Sequence, residues 1–504
     1  MTNKDHPITE EYHIIEEGDS TERQFEIPSQ ITLKVISENI TTRSRKWVEY
    51  IAEHYPSILS GFDKSEIPRV CSLLGRTFRA FYSLDDPAEY RINLGRIELK
   101  ILKIGFNTYL ETITKDKVYQ NPKEWEDFKH ITEVCMTAAD LQFEMGCCLC
   151  DDDRPISGMD YLQRAMIEFQ RLNELCVTLK RDPTIESMWK VSWNFCRAKQ
   201  SENWISILQF LPEEDKPVFA RLVYDQIVKT MDDYWGEGRE DLIKEHGEYY
   251  FYAKEYTEKY PLSKQACAEL YRDSITDDYV RWCNNHCLLL NILTEPTHNC
   301  KKYANDNLNF ALTERHQWLL DDIIATFDHC RRALYAFDKI REDKVINKTR
   351  DEDVESLLDC YVRLYTLLDK TAKLISALFP RDGSLKNKNF YKVADELASS
   401  RNKFLASIYL IKNDIFPEEY DLADNIADPH RNYLGVIQKT SDIRNEIVHG
   451  TVRIFSENES KGWYYDSVSL TPLELKHHTI TLAYDIREIL LTLQLAVGWH
   501  RRYA

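Results

Sequence analysis

Residues 41–81 read TTRSRKWVEYIAEHYPSILSGFDKSEIPRVCSLLGRTFRAF, and the spacing inside that stretch decides the fold class. Apolar side chains recur three and four residues apart at Trp47, Ile51, Tyr55 and Ile58, and again at Val70, Leu73, Leu74, Phe78 and Phe81. This interval places them on one face of an α-helix, whereas a half-buried strand would need strict alternation. The boundaries carry matching chemistry. Asp86-Pro87 breaks one helix, and Asn121-Pro122-Lys123-Glu124 opens another with a capping side chain, Pro in the first turn and Glu at N3. Asp428-Pro429 and Thr471-Pro472-Leu473-Glu474 repeat the device. An all-α protein is expected.

Composition agrees. With only 15 Gly and 16 Pro in 504 residues, the chain has little turn punctuation, and it is too long for one core. Between residues 41 and 275, about eight to ten helical segments with short connections predict stacked antiparallel pairs, a tetratricopeptide-like array without a clean repeat period. The expected organisation is a flexible or irregular lead-in at 1–40, where Phe25 and Ile27 could form a short strand, the array at 41–275, and a helical domain at 277–504. Within that last domain, Val452, Ile454, Trp463, Tyr464 and Val468 flank Gly462, so the 451–470 insertion predicts a small hairpin or ordered loop.

A net charge of −18 opposes general affinity for polyanions, so nucleic acid would need a locally basic groove. One basic run stands out, Lys386, Lys388, Lys392, Arg401 and Lys403, although a solvated helix face is the favoured reading of such runs. Thirteen Cys without an apolar leader point to free thiols in a reducing compartment, hence the cytoplasm. The apolar run Ile489 to Trp499 is too short to cross a bilayer, and no membrane partner is expected.

Nucleotide hydrolysis and hydride transfer are poor expectations, because the sequence has no GxxxxGK[ST] loop, GxGxxG turn, HExxH helix or GxSxG elbow. Cys147/Cys150 and Cys283/Cys287 lack a second pair at zinc spacing, which favours buried structural thiols; no metal or cofactor is expected. His477-His478 are neighbours on a helix and point apart, so core or surface roles are favoured there.

The segment Arg444-Asn445-Glu446-Ile447-Val448-His449 is different. It follows the apolar positions Leu434, Ile437 and Ile443 and ends at Gly450, a natural helix stop. Asn445 and His449, four residues apart, share a face, and the long Arg444 side chain can bend toward it. For RNA the ribose 2′-hydroxyl is the built-in nucleophile, so a site need only move protons and stabilise charge on phosphorus. An imidazole in a last helical turn suits the first task and a guanidinium the second. Spacing alone is weak support, since Arg281/His286 repeats it without the adjoining Asn or the helix end.

At these residues the sequence resembles the HEPN superfamily, whose helical domains carry an Arg-polar dipeptide followed by His at this interval. Tyr279, Trp282, Cys283, Leu288, Leu290, Asn291 and Leu293 resemble the opening of a bacterial HEPN branch that sits behind tetratricopeptide-like repeats. Arg331-Arg332-Ala333-Leu334-Tyr335, Leu368-Asp369-Lys370 and Asp421-Leu422 follow in the order of that branch, and the resemblance covers about residues 277 to 455. Ile292 stands where Pro is usual and Val448 where Glu is frequent. The resemblance implies a C-terminal HEPN bundle that pairs with a second copy and cleaves RNA without metal, in a phage-defence or toxin setting. It implies His449 as general acid/base, Arg444 as the phosphate clamp and Asn445 as an orienting group. The basic run would then guide RNA, and the array would hold the nuclease in check or bind a protein partner or inhibitor. Two rival expectations remain: a catalytically silent dimerisation or adaptor scaffold, and a nucleotide-binding sensor.

Overall fold

In the computed structural model, the residues described are 31–40, 44–81, 88–115, 128–151, 154–178, 196–233, 251–292, 301–342, 351–380, 389–416, 453–454, 469–470 and 472–503, with Ala198, Tyr271, Lys302, Tyr303, Asn309 and Ala311 left aside. They are almost wholly helical. Six helices come first: α1 (Leu33–Asn39), α2 (Arg45–Ser60), α3 (Ile67–Phe81), α4 (Ala88–Lys115), α5 (Phe128–Asp151) and α6 (Pro155–Thr178). After the helical residues 199–208 come α7 (Lys216–Asp233), the helical residues 251–259, α8 (Lys264–Leu270), α9 (Asp278–Asn285), α10 (Glu314–Glu342), α11 (Asp351–Leu378), α12 (Phe390–Leu397) and α13 (Lys403–Ile415). The 32-residue α14 (Pro472–Tyr503) completes the order.

The proline signals hold where they can be read: α4 starts just after Pro87 and α14 at Pro472 itself. Side chains of Thr32, Ser44, Asp277, Asn389 and Asn402 accept hydrogen bonds from the first-turn amides of α1, α2, α9, α12 and α13. Each satisfies a donor that the helix itself leaves unpaired. The expected lead-in is not irregular throughout, since its residues 33–39 form α1 and bury Ile36 completely. Phe25 and Ile27 lie outside the described residues.

Two larger apolar cores organise the chain. The first joins α1 to α5 through Ile36, Trp47, Ile51, Val70, Leu74, Phe78, Leu102 and Leu141. Helices α5 and α6 then lie unusually close: a Cβ on Gly146 would sit 2.7 Å from Leu162 Cγ, and one on Gly158 would sit 2.4 Å from Cys150 Sγ. The second core runs without interruption from Ile156 and Met159 on α6 through Phe219, Leu290, Phe327 and Leu364 to Ala496. The expected division at 275–277 therefore falls inside continuous packing. At its centre stands α14, in which Ile489, Leu490, Leu491, Leu493, Leu495 and Ala496 are all fully buried. A helix apolar on every side belongs in a bundle centre, and α14 packs on α6, α10, α11 and α13.

Of the two forms expected for the 451–470 insertion, a hairpin or an ordered loop, the strand pairing excludes the hairpin. Arg453–Ile454 (β1) pairs with Ser469–Leu470 (β2) in parallel. Parallel strands need a crossover of a dozen or more residues and cannot be joined by a tight turn; the intervening 455–468 supply that length.

Candidate functional site

The corner where α9, α10 and the start of α14 meet gathers the residues that the sequence singled out around Tyr279. The Tyr279 phenol donates to Asp328 Oδ1 at 2.6 Å. Trp282 Nε1 donates to Asp338 Oδ2 at 3.1 Å, and Lys476 at the start of α14 donates to the other oxygen of Asp338. Both aromatic rings meet Tyr335 edge-on, with centroids 5.5 and 5.7 Å away.

Arg331 is the hub. It is 2% exposed, and its Nη1 donates to Asp306 Oδ1 at 2.8 Å and to the Leu288 carbonyl at 3.0 Å. Its Nη2 donates to Asp306 Oδ2 at 2.5 Å and Asp328 Oδ1 at 3.0 Å. Asp306 Oδ1 also accepts from the Leu290 amide at 2.8 Å, and the Asn307 amide donates to the Leu290 carbonyl at 2.9 Å. One guanidinium thus fastens the strand-like loop after α9 onto α10. Burial would raise the Asp328 carboxyl, but hydrogen bonds from Tyr279 and Arg332 and the charge of Arg331 hold it below the usual range. Burial pushes the Cys283 thiol up to about 11.

The decoy pair Arg281/His286 is spent on architecture. Arg281 Nη2 donates to the carbonyls of Ile275 and Thr276 at 3.2 and 3.4 Å. His286 stacks on Trp282 at 4.4 Å with Nδ1 2.8 Å from the Trp282 carbonyl. Burial lowers its pKa, which fits a neutral ring donating from Nδ1. His477 and His478, half-buried early in α14, have ring centroids 6.0 Å apart.

Arg444, Asn445 and His449 lie outside the described residues, as do Lys386 and Lys388. Of the basic run, Lys392 on α12, Arg401 in the turn and Lys403 at the first position of α13 are exposed. They do not sit beside β1. Asn402 Nδ2 donates to the Ala496 carbonyl at 2.8 Å, so this turn rests on the far end of α14. At 1.5 Å per residue, Pro472 and Ala496 are about 36 Å apart along the axis.

No local sequence pattern marks a second polar assembly, at the seam between α6 and the C-terminal bundle. Arg154 donates to both Glu488 oxygens, at 3.0 and 2.7 Å, and to Asp414 Oδ2 at 2.5 Å. Lys103 on α4 reaches the other Asp414 oxygen at 2.5 Å. One turn away, Arg487 pairs with Asp160 and donates from Nε to the Leu289 carbonyl at 2.8 Å, while Arg164 lies 3.7 Å over the Tyr484 ring. These partners are up to 334 residues apart in sequence, which no local pattern reveals. Beside them a cavity of about 30 Å³ is lined by Asp160, Gln200, Trp204, Asn284, Cys287 and Arg487, among others. Asn284 is 1% exposed, and neither of its amide atoms has a hydrogen-bond partner among the described residues. At ~10–15 Å³ per water, the space suits about two.

Titration behaviour follows charge balance. Burial, with Asp414 and Glu488 nearby, pushes the Asp485 carboxyl up to about 8 despite Arg154 and Lys103. Burial pushes Asp160 up to about 6 against the attraction of Arg487. Asp414 goes the other way: burial opposes ionisation, but Lys103 and Arg154 draw it down to about 2. Burial drives Cys287 to about 12, which leaves it a poor nucleophile. Cys147, Cys283 and Cys287 are buried thiols, as their spacing suggested, whereas Cys150 is only half-buried. Among the described residues, no group of three or more His, Cys, Asp and Glu is placed to hold a metal ion, and no helix is long and apolar enough to cross a membrane.

No known family, curated protein or solved structure matches the chain.

Proposed function

We propose that the chain is a metal-independent endoribonuclease of the HEPN type, working as a homodimer, in which His449 moves the protons, Arg444 clamps the scissile phosphate and Asn445 orients one of them. One observation carries this reading. Tyr279, Trp282, Arg331 and Tyr335, which bear the sequence resemblance on separate stretches, meet in a single network within an all-helical bundle. Chance likeness gives no reason for such residues to need one another. The network braces the start of α14 through Lys476–Asp338, and β1, four residues beyond His449, pairs with β2 just before that helix.

In the proposed reaction the ribose 2′-hydroxyl attacks the adjacent phosphorus as a histidine takes its proton. The 5′-oxygen leaves with a proton from the second imidazole of the dimer, so the product ends in a 2′,3′-cyclic phosphate. Positioned acid-base help is worth about 10² to 10⁴ in rate, and the guanidinium stabilises charge gathering on the non-bridging oxygens. The helical array at 41–275 serves as the regulatory or partner-docking part, and phage defence or toxicity is the setting.

The test is cleavage of single-stranded RNA in excess chelator. The unmodified chain should cut and leave cyclic-phosphate ends, and His449→Ala and Arg444→Ala should each slow cutting by about 10² or more. Cutting by either variant at the rate of the unmodified chain, or activity that vanishes in chelator and returns with Mg²⁺, would overturn the proposal. A silent scaffold is the second reading. It is favoured by the way Arg154, Arg331, Lys476 and Arg487 are all paired internally.

A further inference from the structure

The end of the bundle farthest from β1 concentrates positive charge where helix stability does not ask for it. Asn402 caps α13, so Arg401 and Lys403 flank its N-terminus, and the first turn of α13 holds no acidic residue. That terminus is the positive pole of the helix dipole, where a cation costs stability. Three further basic side chains, His500, Arg501 and Arg502, occupy the last turn of α14. They suit their own helix end, and Phe210 packs between that end and the start of α13, with its ring 5.0 Å from Phe404 and 6.4 Å from Tyr503. The Asn402 to Ala496 hydrogen bond holds the same turn against α14.

An aromatic platform accompanies the charge. Tyr503 is 56% exposed, tilts against Trp499 at 5.0 Å and lies under the Arg502 guanidinium at 5.6 Å. A cationic surface with an exposed ring is the arrangement that holds single strands, because phosphates meet the charges and an unpaired base can stack. A duplex offers no free base face, and an acidic protein gives the ring no specific task.

We infer that Arg401, Lys403, Arg501, Arg502 and Tyr503 form a holding surface for single-stranded RNA at the end of α14 remote from β1. The inference rests on the proposed ribonuclease reading for its choice of polyanion. It assigns the strand a second point of hold, with Arg401 and Lys403 of the basic run completed by the close of α14.

Binding, not cutting, is the test. The full chain carrying His449→Ala is titrated with a fluorescein-labelled oligouridylate dodecamer over a range of salt, in chelator. Adding Arg401→Gln, Lys403→Gln, Arg501→Gln and Arg502→Gln together should reduce the slope of log affinity against log salt by about three, since each single-strand contact contributes about 0.7. Tyr503→Ala should weaken oligouridylate binding about tenfold and leave heparin binding unchanged. All these side chains are exposed, and a circular dichroism melt checks that the fold survives. An unchanged slope in the quadruple variant overturns the inference. So does an equal loss of heparin and oligouridylate binding in Tyr503→Ala. If the unmodified chain binds but never cuts RNA, the nuclease reading fails while this surface stands; if it cuts normally with the four cations removed and binding unaltered, the reverse holds.

Discussion

The corner around Arg331 and the seam around Arg154 are both buried guanidinium networks, yet they differ in charge balance and in exposure. At the corner, Arg331 faces Asp306 and Asp328, whose side chains keep 17% and 31% exposure, and Arg332 adds a second cation. At the seam, Arg154 faces Glu488 at 1% exposure, and Asp414, Asp485 and Glu488 together outnumber Lys103 and Arg154. The corner is a brace within the bundle, with two cations facing two carboxylates. The seam joins α4 and α6 to α13 and α14, and its surplus carboxylate makes it sensitive to pH.

The sharpest way to break this comparison is to remove each hub. Arg154→Met should destabilise by about 3–5 kcal/mol, because Glu488 is left charged, dry and unpaired. Arg331→Met should cost less, about 2–3 kcal/mol, as its carboxylates can turn toward water. Calorimetric or chemical unfolding of the two variants checks the ranking, and equal losses would erase the distinction between brace and seam.

Next in size is Gly498→Ala. A Cβ there would lie 1.8 Å from the Phe210 carbonyl oxygen, so the backbone of the 207–211 turn must move off α14. A cost of about 1–3 kcal/mol or more is expected, with faster amide exchange near Phe210 as the local sign. Tyr279→Phe, at the corner, should lose about 1–2 kcal/mol, the worth of a hydrogen bond to a charged acceptor that keeps two other donors.

Proton binding also separates the two regions. The Asp485 carboxyl is raised in the folded chain, so between its ordinary value of 3.8 and about 8 the folded state binds the extra proton. Stability from this group therefore falls as pH rises through that window. Asp160, raised to about 6, acts in the same sense over a narrower range. Asp414, lowered to about 2, contributes stability above 3.8 that is lost on acidification toward 2. Asp485→Asn should flatten the decline in thermal midpoint between pH 6 and 8 and leave it unchanged near pH 4. Melting curves at stepped pH read this directly, and an unaltered slope would remove Asp485 as its source.

Much of the helix pattern was legible locally. Trp47, Ile51 and Val70, Leu74, Phe78 face inward as their spacing required, and Pro87 and Pro472 mark helix starts as proline chemistry dictates. The likeness around Tyr279 and Trp282 picked out residues that do act together, although as a brace. The role expected of Arg444, Asn445 and His449 remains the proposal set out above, those positions lying outside the described residues. Three features were not legible. The parallel pairing of β1 with β2 depends on a crossover, and alternation with a turn residue reads the same for either direction. The division at 275–277 followed a shift in motif, which says nothing of which apolar faces share a core. The placing of Arg401 and Lys403 against the end of α14 depends on Asn402 meeting Ala496 across the bundle.

The order of apolar and polar residues by itself determined that this chain folds into helices, where many begin, and which faces are buried, because a helix reads its neighbours only three or four positions away. Tertiary structure alone decided that Arg154 meets Glu488, that Arg331 closes the corner, and that Asn402 rests on α14. Such pairings join residues far apart in sequence, and their strength comes from the exclusion of water, which exists only once the helices have packed.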